Sequence, residues 1–155
     1  MPRILFVCLG NICRSPLAEW VAREQFAANH LDVGVASCGT GGWHAGEGAD
    51  PRMVAAARAA GHDLSAHRAR QLRARDYDVF DWLLAMDHDN LAALRQLANS
   101  PEQVARTALF LEWTSAAPPQ AFPDPWYGNA ADFADAVKLA ERGVAGLVER
   151  LKRGR

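Results

Sequence analysis

Apolar residues in this chain fall into two kinds of stretch, short unbroken runs and longer segments in which they recur every three or four positions. The first pattern suits a strand covered on both faces, and the second a helix with one face on a core. Residues 3–8, centred on Ile4-Leu5-Phe6-Val7, are too few for a helix and predict a buried strand. Val33 to Cys38, Asp81 to Met86 and Thr107 to Leu111 predict three more. Residues 16–30 predict a helix with Leu17, Trp20 and Val21 on one face. Asp50-Pro51 opens another, with a capping carboxylate and a first-turn proline, and Gly61 closes it. Leu91, Leu94 and Ala98 mark the next. The last helix is the clearest: Phe133, Val137, Ala140, Val144, Leu147 and Leu151 keep a 4-3-4-3-4 spacing behind a capping Asn129. Strand–helix alternation predicts right-handed crossovers and a parallel sheet, with ligands beyond the carboxyl ends of the strands.

Bulk properties agree with one domain and narrow its partners. With 155 residues, half of them hydrophobic, the chain can bury a substantial core. A formal net charge of -1 predicts neither a nucleic-acid nor a membrane surface. The apolar run after Pro2-Arg3 is too short for a secretory leader, and no run reaches the length of a membrane span. Three cysteines without a paired framework suit a reducing compartment, so a cytoplasmic location is expected. The Lys152-Arg153-Gly154-Arg155 tail is read as a solvated, frayed end.

The candidate chemistry lies at residues 7–16, Val-Cys-Leu-Gly-Asn-Ile-Cys-Arg-Ser-Pro. Five residues separate Cys8, at the end of the first strand, from Arg14. A loop curling there from strand into helix can turn consecutive N–H groups inward as an anion nest, and the helix N-terminus adds its own positive end. Gly10 is expected to take unusual backbone angles and Asn11 to tolerate a left-handed one. Arg14 offers a planar fork for two phosphate oxygens. Ser15 reads as the N-cap and Pro16 as the first helical residue. A thiol among helix N–H groups and a cation ionises readily and becomes a nucleophile aimed at phosphorus. The spacing alone is unspecific; the strand before it, Gly10 and Asn11 within it and Ser15-Pro16 after it make it specific.

Residues 8–16 resemble the phosphate-binding loop of the low-molecular-weight protein tyrosine phosphatases. Further stretches match that family in order and spacing: Ser37 to Trp43, Asp63 to Gln71, Met86 to Asn90 and Pro123 to Gly128. The resemblance therefore spans essentially all of residues 1–155. It implies a single α/β domain with a four-stranded parallel sheet flanked by helices on both faces, a phosphocysteine intermediate and no metal or other cofactor. It also implies that Leu9, Gly10, Asn11, Ile12, Cys13 and Ser15 surround the bound phosphate. An Asp between two prolines, as in Pro123-Asp124-Pro125, is by itself turn chemistry. By resemblance, Asp124 is the general acid that protonates the leaving oxygen and then activates water.

The aromatics bear on the substrate. Trp126 and Tyr127 follow Asp124 directly, and Trp43 lies in a glycine-rich loop. Together they are expected to form a deep slot for a phenyl ring, which a phosphoserine is too short to use. Trp20, Trp82 and Trp113 are assigned to packing. The family usually carries tyrosine where this chain has Trp126, which keeps the aromatic wall but changes peptide preference and any regulation by phosphorylation there. By resemblance Asn11, Ser37 and His67 form a network that shapes the loop, with His67 a brace and not a base. Ser15 is also a candidate donor to the Cys8 sulfur, a use that competes with capping. Asp87 either pairs with Arg14 or caps the following helix. Cys13 is either a buried small residue or a partner that protects an oxidised Cys8 through a disulfide. The histidines lack zinc spacing, and Asp87-His88-Asp89-Asn90 lacks the remaining ligands of a calcium loop, so no metal is expected.

The expected substrates are tyrosine-phosphorylated proteins, a tyrosine kinase among the possible ones, with phosphate ion as product. Three alternatives differ in residues. An arsenate reductase on the same fold needs relay cysteines, and none lies in residues 80–95. A protein-arginine phosphatase typically has threonine at the Ile12 position and a thinner aromatic pair. A non-catalytic phosphopeptide-binding module needs neither the thiolate nor the acid.

Overall fold

The computed structural model describes residues 1–114 and 119–154. Four strands, β1 (Arg3–Cys8), β2 (Gly34–Gly39), β3 (Trp82–Ala85) and β4 (Thr107–Leu109), form one all-parallel sheet in the order β2-β1-β3-β4. Alternation along β1 divides the core in two. Ile4, Phe6 and Cys8 pack against α1 (Arg14–Ala28), α2 (Pro51–Ala59) and α7 (Ala130–Gly154), while Leu5 and Val7 join Tyr77, Phe80 and Leu94 on the other face. That second face is covered by α3 (Asp76–Val79) and α4 (His88–Leu97). With both faces covered, Ile4 to Val7 are fully buried, as their unbroken apolar run requires. Strand order reverses at β1, which has β2 on one side and β3 on the other. The crevice at the carboxyl end of β1 is therefore the expected binding place, and Cys8 ends that strand.

Capping chemistry explains most helix starts. The Asp50 carboxylate accepts the Arg52 N–H at α2, and Asp87 accepts the Asn90 N–H at α4. At α7, Asn129 Oδ1 accepts from Ala131 and Asp132, while Asp132 returns a bond to the Asn129 N–H, a reciprocal box. Gly61, at φ +92°, reverses the chain after α2. The α1 helix differs from expectation: it begins at Arg14, and its cap is Cys13 with no side-chain bond. Ser15 is not the cap, because its hydroxyl is turned to the Cys8 sulfur. Pro16 still lies in the first turn, where no intrahelical partner for an N–H exists. β4 is shorter than predicted, since Phe110 and Leu111 belong to α6 (Phe110–Thr114) and stay buried there. α3 and α5 (Pro101–Ala105) add four- and five-residue turns. The tail is not frayed as far as Gly154: Lys152 and Arg153 continue α7, and Arg155 lies outside the described residues.

His62 staples the helical layer. Its Nδ1 lies 3.0 Å from Glu24 on α1 and its Nε2 2.7 Å from Glu141 on α7. Burial alone would lower the imidazole's affinity for a proton, but the two carboxylates hold its pKa above the ordinary value. The protonated form therefore contributes stability that is complete below about pH 6.5 and is lost as pH rises through the raised folded-state value. His62→Gln should lower the melting temperature more at about pH 6 than at about pH 9. An equal loss at both would show packing alone.

Candidate active site

Cys8 leaves β1 and the chain curls through Leu9 to Cys13 into α1. The sharpest point is Asn11, at φ 58°. Asparagine tolerates this left-handed conformation because its short amide can bond locally. Gly10 does not take a positive φ; its missing Cβ instead leaves room for the ring of His44, whose Cδ2 would lie 3.0 Å from such an atom. The Cys8 sulfur receives the Asn11 N–H at 3.3 Å and faces the Ser15 hydroxyl at 2.9 Å. Asn11 Nδ2 donates into Ser15 Oγ at 2.9 Å, and the Ser15 O–H has two acceptors in reach, the sulfur and the Cys38 carbonyl at 3.4 Å. The sulfur therefore sits against two hydrogen-bonding groups at the head of the loop.

A buried chain of hydrogen bonds fixes this arrangement. Asn11 Nδ2 also donates to Ser37 Oγ at 2.9 Å, and the Ser37 hydroxyl donates to Glu19 at 2.6 Å. Glu19 is itself held by Arg23 at 2.8 Å. The Asn11 amide is the donor at the centre of this chain, feeding Ser15 on one side and, through Ser37, the Glu19 carboxylate on the other. His67 Nε2 donates to the Asn11 carbonyl at 2.6 Å. Burial pushes the His67 pKa down, opposed by that carbonyl and by Glu19, which suits a neutral ring acting as a brace. The Arg70 N–H completes the Asn11 amide by donating to Oδ1, and the Arg70 guanidinium clasps Asp76 through two 3.0 Å bonds.

The end of β2 presses directly on the loop. A Cβ at Gly39 would lie 2.6 Å from the Leu9 carbonyl oxygen and 3.1 Å from the Asn11 nitrogen, both backbone atoms. Gly39→Ala should therefore displace the loop, at a cost of about 1–3 kcal/mol. The expected result is a lower melting temperature together with weaker competitive inhibition by inorganic phosphate; unchanged values for both would contradict the close fit.

Arg14 is 3% exposed, so its charge must be met inside the protein. Its Nη1 donates to Asp87 at 2.7 Å and to the Phe122 carbonyl at 2.9 Å. Nη2 faces Asp124 at 3.6 Å. Burial alone would lower the Arg14 pKa, but the Cys8 sulfur, Asp87 and Asp124 hold it above its ordinary value. Asp87 fills both of its expected uses at once, with Oδ2 on Arg14 and Oδ1 on the α4 cap. Asp124 has a side chain 45% exposed, and its Oδ1 accepts the Trp126 N–H, which turns the carboxylate toward the loop.

These groups converge on a cavity of about 300 Å³. Its floor is Cys8, Ile12, Cys13 and Arg14; Asp124 is on one side, and Leu9, Trp43, Trp126 and Tyr127 line it toward solvent. Trp43 is 69% exposed and Tyr127 96%, so these rings form a rim, shallower than the deep slot anticipated. Trp126 is half-buried and is backed by Arg52, whose guanidinium carbon lies 5.0 Å from the ring centroid. Trp20, Trp82 and Trp113 pack on the core at the positions assigned to them.

The low molecular weight phosphotyrosine protein phosphatase family model matches residues 3–155. A low molecular weight protein-tyrosine-phosphatase of Streptomyces coelicolor is 39% identical, covering 97% of this chain and 93% of its own. A crystal structure of a protein tyrosine phosphatase from Entamoeba histolytica, with Hepes in its active site, superimposes with a TM-score of 0.93 at 30% identity, covering 99% of both chains. The Vibrio vulnificus protein Wzb, solved in complex with benzylphosphonate, superimposes with a TM-score of 0.84 at 29% identity, covering 96% of this chain and 98% of that one. The chain belongs to the low molecular weight phosphotyrosine protein phosphatase family.

In this member of the enzyme family, the phosphate loop with Cys8 and Arg14 and the segment carrying Asp124, Trp126 and Tyr127 line one cavity. Cys13 and Cys38 are buried free thiols whose pKa burial pushes up, so both stay protonated at neutral pH. Among the described residues no group of three or more His, Cys, Asp or Glu is placed to hold a metal ion, and no helix is long and apolar enough to cross a membrane. Sequence reasoning missed Glu19, His44 and Arg52. The first looks like an ordinary helix-surface acid. The others are loop or first-turn residues that each have a near carboxylate, Glu47 and Asp50, but whose contacts with Gly10 and Trp126 lie far away in the chain. Glu19 sits four residues before Arg23, a spacing that signals a local ion pair but not the bond to Ser37.

Proposed function

We propose that this protein hydrolyses phosphotyrosine on proteins through a phosphocysteine. One observation carries the reading: the doubly hydrogen-bonded Cys8 sulfur lies on the floor of a cavity between buried Arg14 and the carboxylate of Asp124. The dianion enters with its equatorial oxygens held by the loop N–H groups and by the part of the Arg14 fork not taken by Asp87 and Phe122. The Cys8 thiolate attacks phosphorus in line, the S–P bond forms and the P–O bond breaks. Asp124, protonated at this stage, gives its proton to the tyrosine oxygen. Water then attacks phosphorus, its proton passes to the Asp124 carboxylate, and the S–P bond breaks. Ser15 donates to the departing sulfur. The work is mostly positioning and charge stabilisation, the usual demand of phosphoryl transfer.

The aromatic rim supports an aryl ester. Trp43, Trp126 and Tyr127 can hold a ring at the distance a phenol leaves between phosphorus and the mouth. The complex of the Vibrio vulnificus relative with benzylphosphonate, a ring carrying a phosphonate, fits that reading. Substrates are then tyrosine-phosphorylated proteins, a tyrosine kinase among them, with phosphate ion as product. Three buried free thiols suit a reducing compartment such as the cytoplasm. Phosphate release without added metal, measured on phosphotyrosine, phosphoserine and phosphoarginine peptides beside arsenate reduction, tests the assignment. Phosphotyrosine should be the preferred substrate; preference for phosphoarginine, or reduction of arsenate, would overturn it.

A further inference from the structure

The phosphate loop and the acid segment are far apart in sequence, yet general-acid catalysis needs their geometry fixed to a fraction of an ångström. One connection between them runs through α2. The Asp50 N–H donates to the Ile12 carbonyl at 2.7 Å, which ties the start of α2 to the phosphate loop. The Asp50 carboxylate, 6% exposed, holds Arg52 through bonds of 3.1 Å to Nε and 2.9 Å to Nη2. The remaining arm, Nη1, donates to the Trp126 carbonyl at 3.0 Å. The guanidinium plane also lies between two rings, 5.0 Å from the centroid of Trp126 and 4.7 Å from that of Phe133 in the first turn of α7. Trp126 is in turn the residue whose N–H holds Asp124. Arg52 therefore touches no part of the catalytic cavity's floor but grips both backbone and side chain two residues beyond the acid.

We infer that Arg52 is a positioning residue for the Asp124 acid, coupling the acid segment to the phosphate loop through Asp50. The inference rests on the reading of Asp124 as general acid. Arginine suits the task because one planar group makes a forked ion pair, a carbonyl bond and two ring contacts together, which lysine cannot. When the fork is lost, Trp126 and Asp124 move together, and the phosphate loop keeps its own network through Asn11, Ser37 and His67.

The test is a leaving-group series. For Arg52→Met, kcat/KM should fall about 10- to 100-fold on phenyl phosphate, whose phenoxide needs a proton. On para-nitrophenyl phosphate, with its far better leaving group, the fall should be about threefold. Adding Arg52→Met to Asp124→Asn should cost no more than Asp124→Asn alone. Inhibition by inorganic phosphate should stay within about twofold of the parent, as the cradle is intact. If Arg52→Met melts below the assay temperature, Arg52→Lys serves, with the same dependence and a smaller loss. An equal loss across the series, no loss, or full additivity with Asp124→Asn would each overturn the inference. A flat series for Asp124→Asn itself would instead remove the acid assignment on which it rests.

Discussion

Cys8→Ser is expected to end turnover, with kcat falling by about 10⁴-fold or more on any aryl phosphate. The site is arranged for a charged sulfur. The Asn11 N–H donates to it, the Ser15 hydroxyl lies 2.9 Å away, and Arg14 is held in the charged form partly by its presence. A serine hydroxyl at that place is neutral at working pH, shorter in reach and a poorer leaving group when water attacks the intermediate. Nothing else in the cavity replaces it, since Cys13, also on the floor, is kept protonated by burial. Binding should survive, because the cradle consists of Arg14 and loop N–H groups. Inorganic phosphate or a phosphotyrosine peptide should still bind, measured by calorimetry, while phosphate release disappears. A variant that retained substantial turnover would exclude Cys8 as nucleophile.

Asp124→Asn has the second-largest expected effect. It keeps the size of the side chain and its bond to the Trp126 N–H but removes the proton that the leaving oxygen needs. On phosphotyrosine, kcat/KM should fall about 10²–10⁴-fold, the range for loss of a positioned general acid. The loss should shrink as the leaving group becomes less basic, and kcat should fall as well because the same group serves the water step. Removing a carboxylate 3.6 Å from Arg14 also removes a like charge from the path of the dianion, so phosphate affinity should hold or rise. Rates that fell equally for good and poor leaving groups would deny Asp124 the acid role.

The fold was readable where one signal dominated. β1 is an unbroken apolar run and α7 keeps a clean helical period, and α2 and α4 carry capping carboxylates at Asp50 and Asp87. Failures came where one residue had two possible uses. Ser15-Pro16 looks like a cap followed by a first helical residue, but the Cys8 sulfur outcompetes the helix end for the Ser15 hydroxyl. Phe110 and Leu111 prolong the hydrophobic run of β4 although the chain has already turned into α6, since burial is the same on either side of the junction. The functional residues divide similarly. Cys8, Arg14 and Asn11 lie in one contiguous loop and could be read together. Glu19, His44 and Arg52 make their long-range contacts, with Ser37 in the first case and Trp126 in the other two, only when distant segments come together in three dimensions, and no local pattern encodes that. Gly10 shows a smaller error of the same kind, a glycine read for its backbone freedom that in fact accommodates His44.

The covalent step is the most direct test of the account. Asp124→Asn mixed rapidly with para-nitrophenyl phosphate and quenched in denaturant should carry one phosphoryl group on the peptide containing Cys8. It should also release a burst of nitrophenol equal to the enzyme present, because the leaving group departs unaided while the water step is slowed. A phosphoryl group on any other residue, or steady release with no burst and no modified cysteine, would contradict a phosphocysteine mechanism at this site.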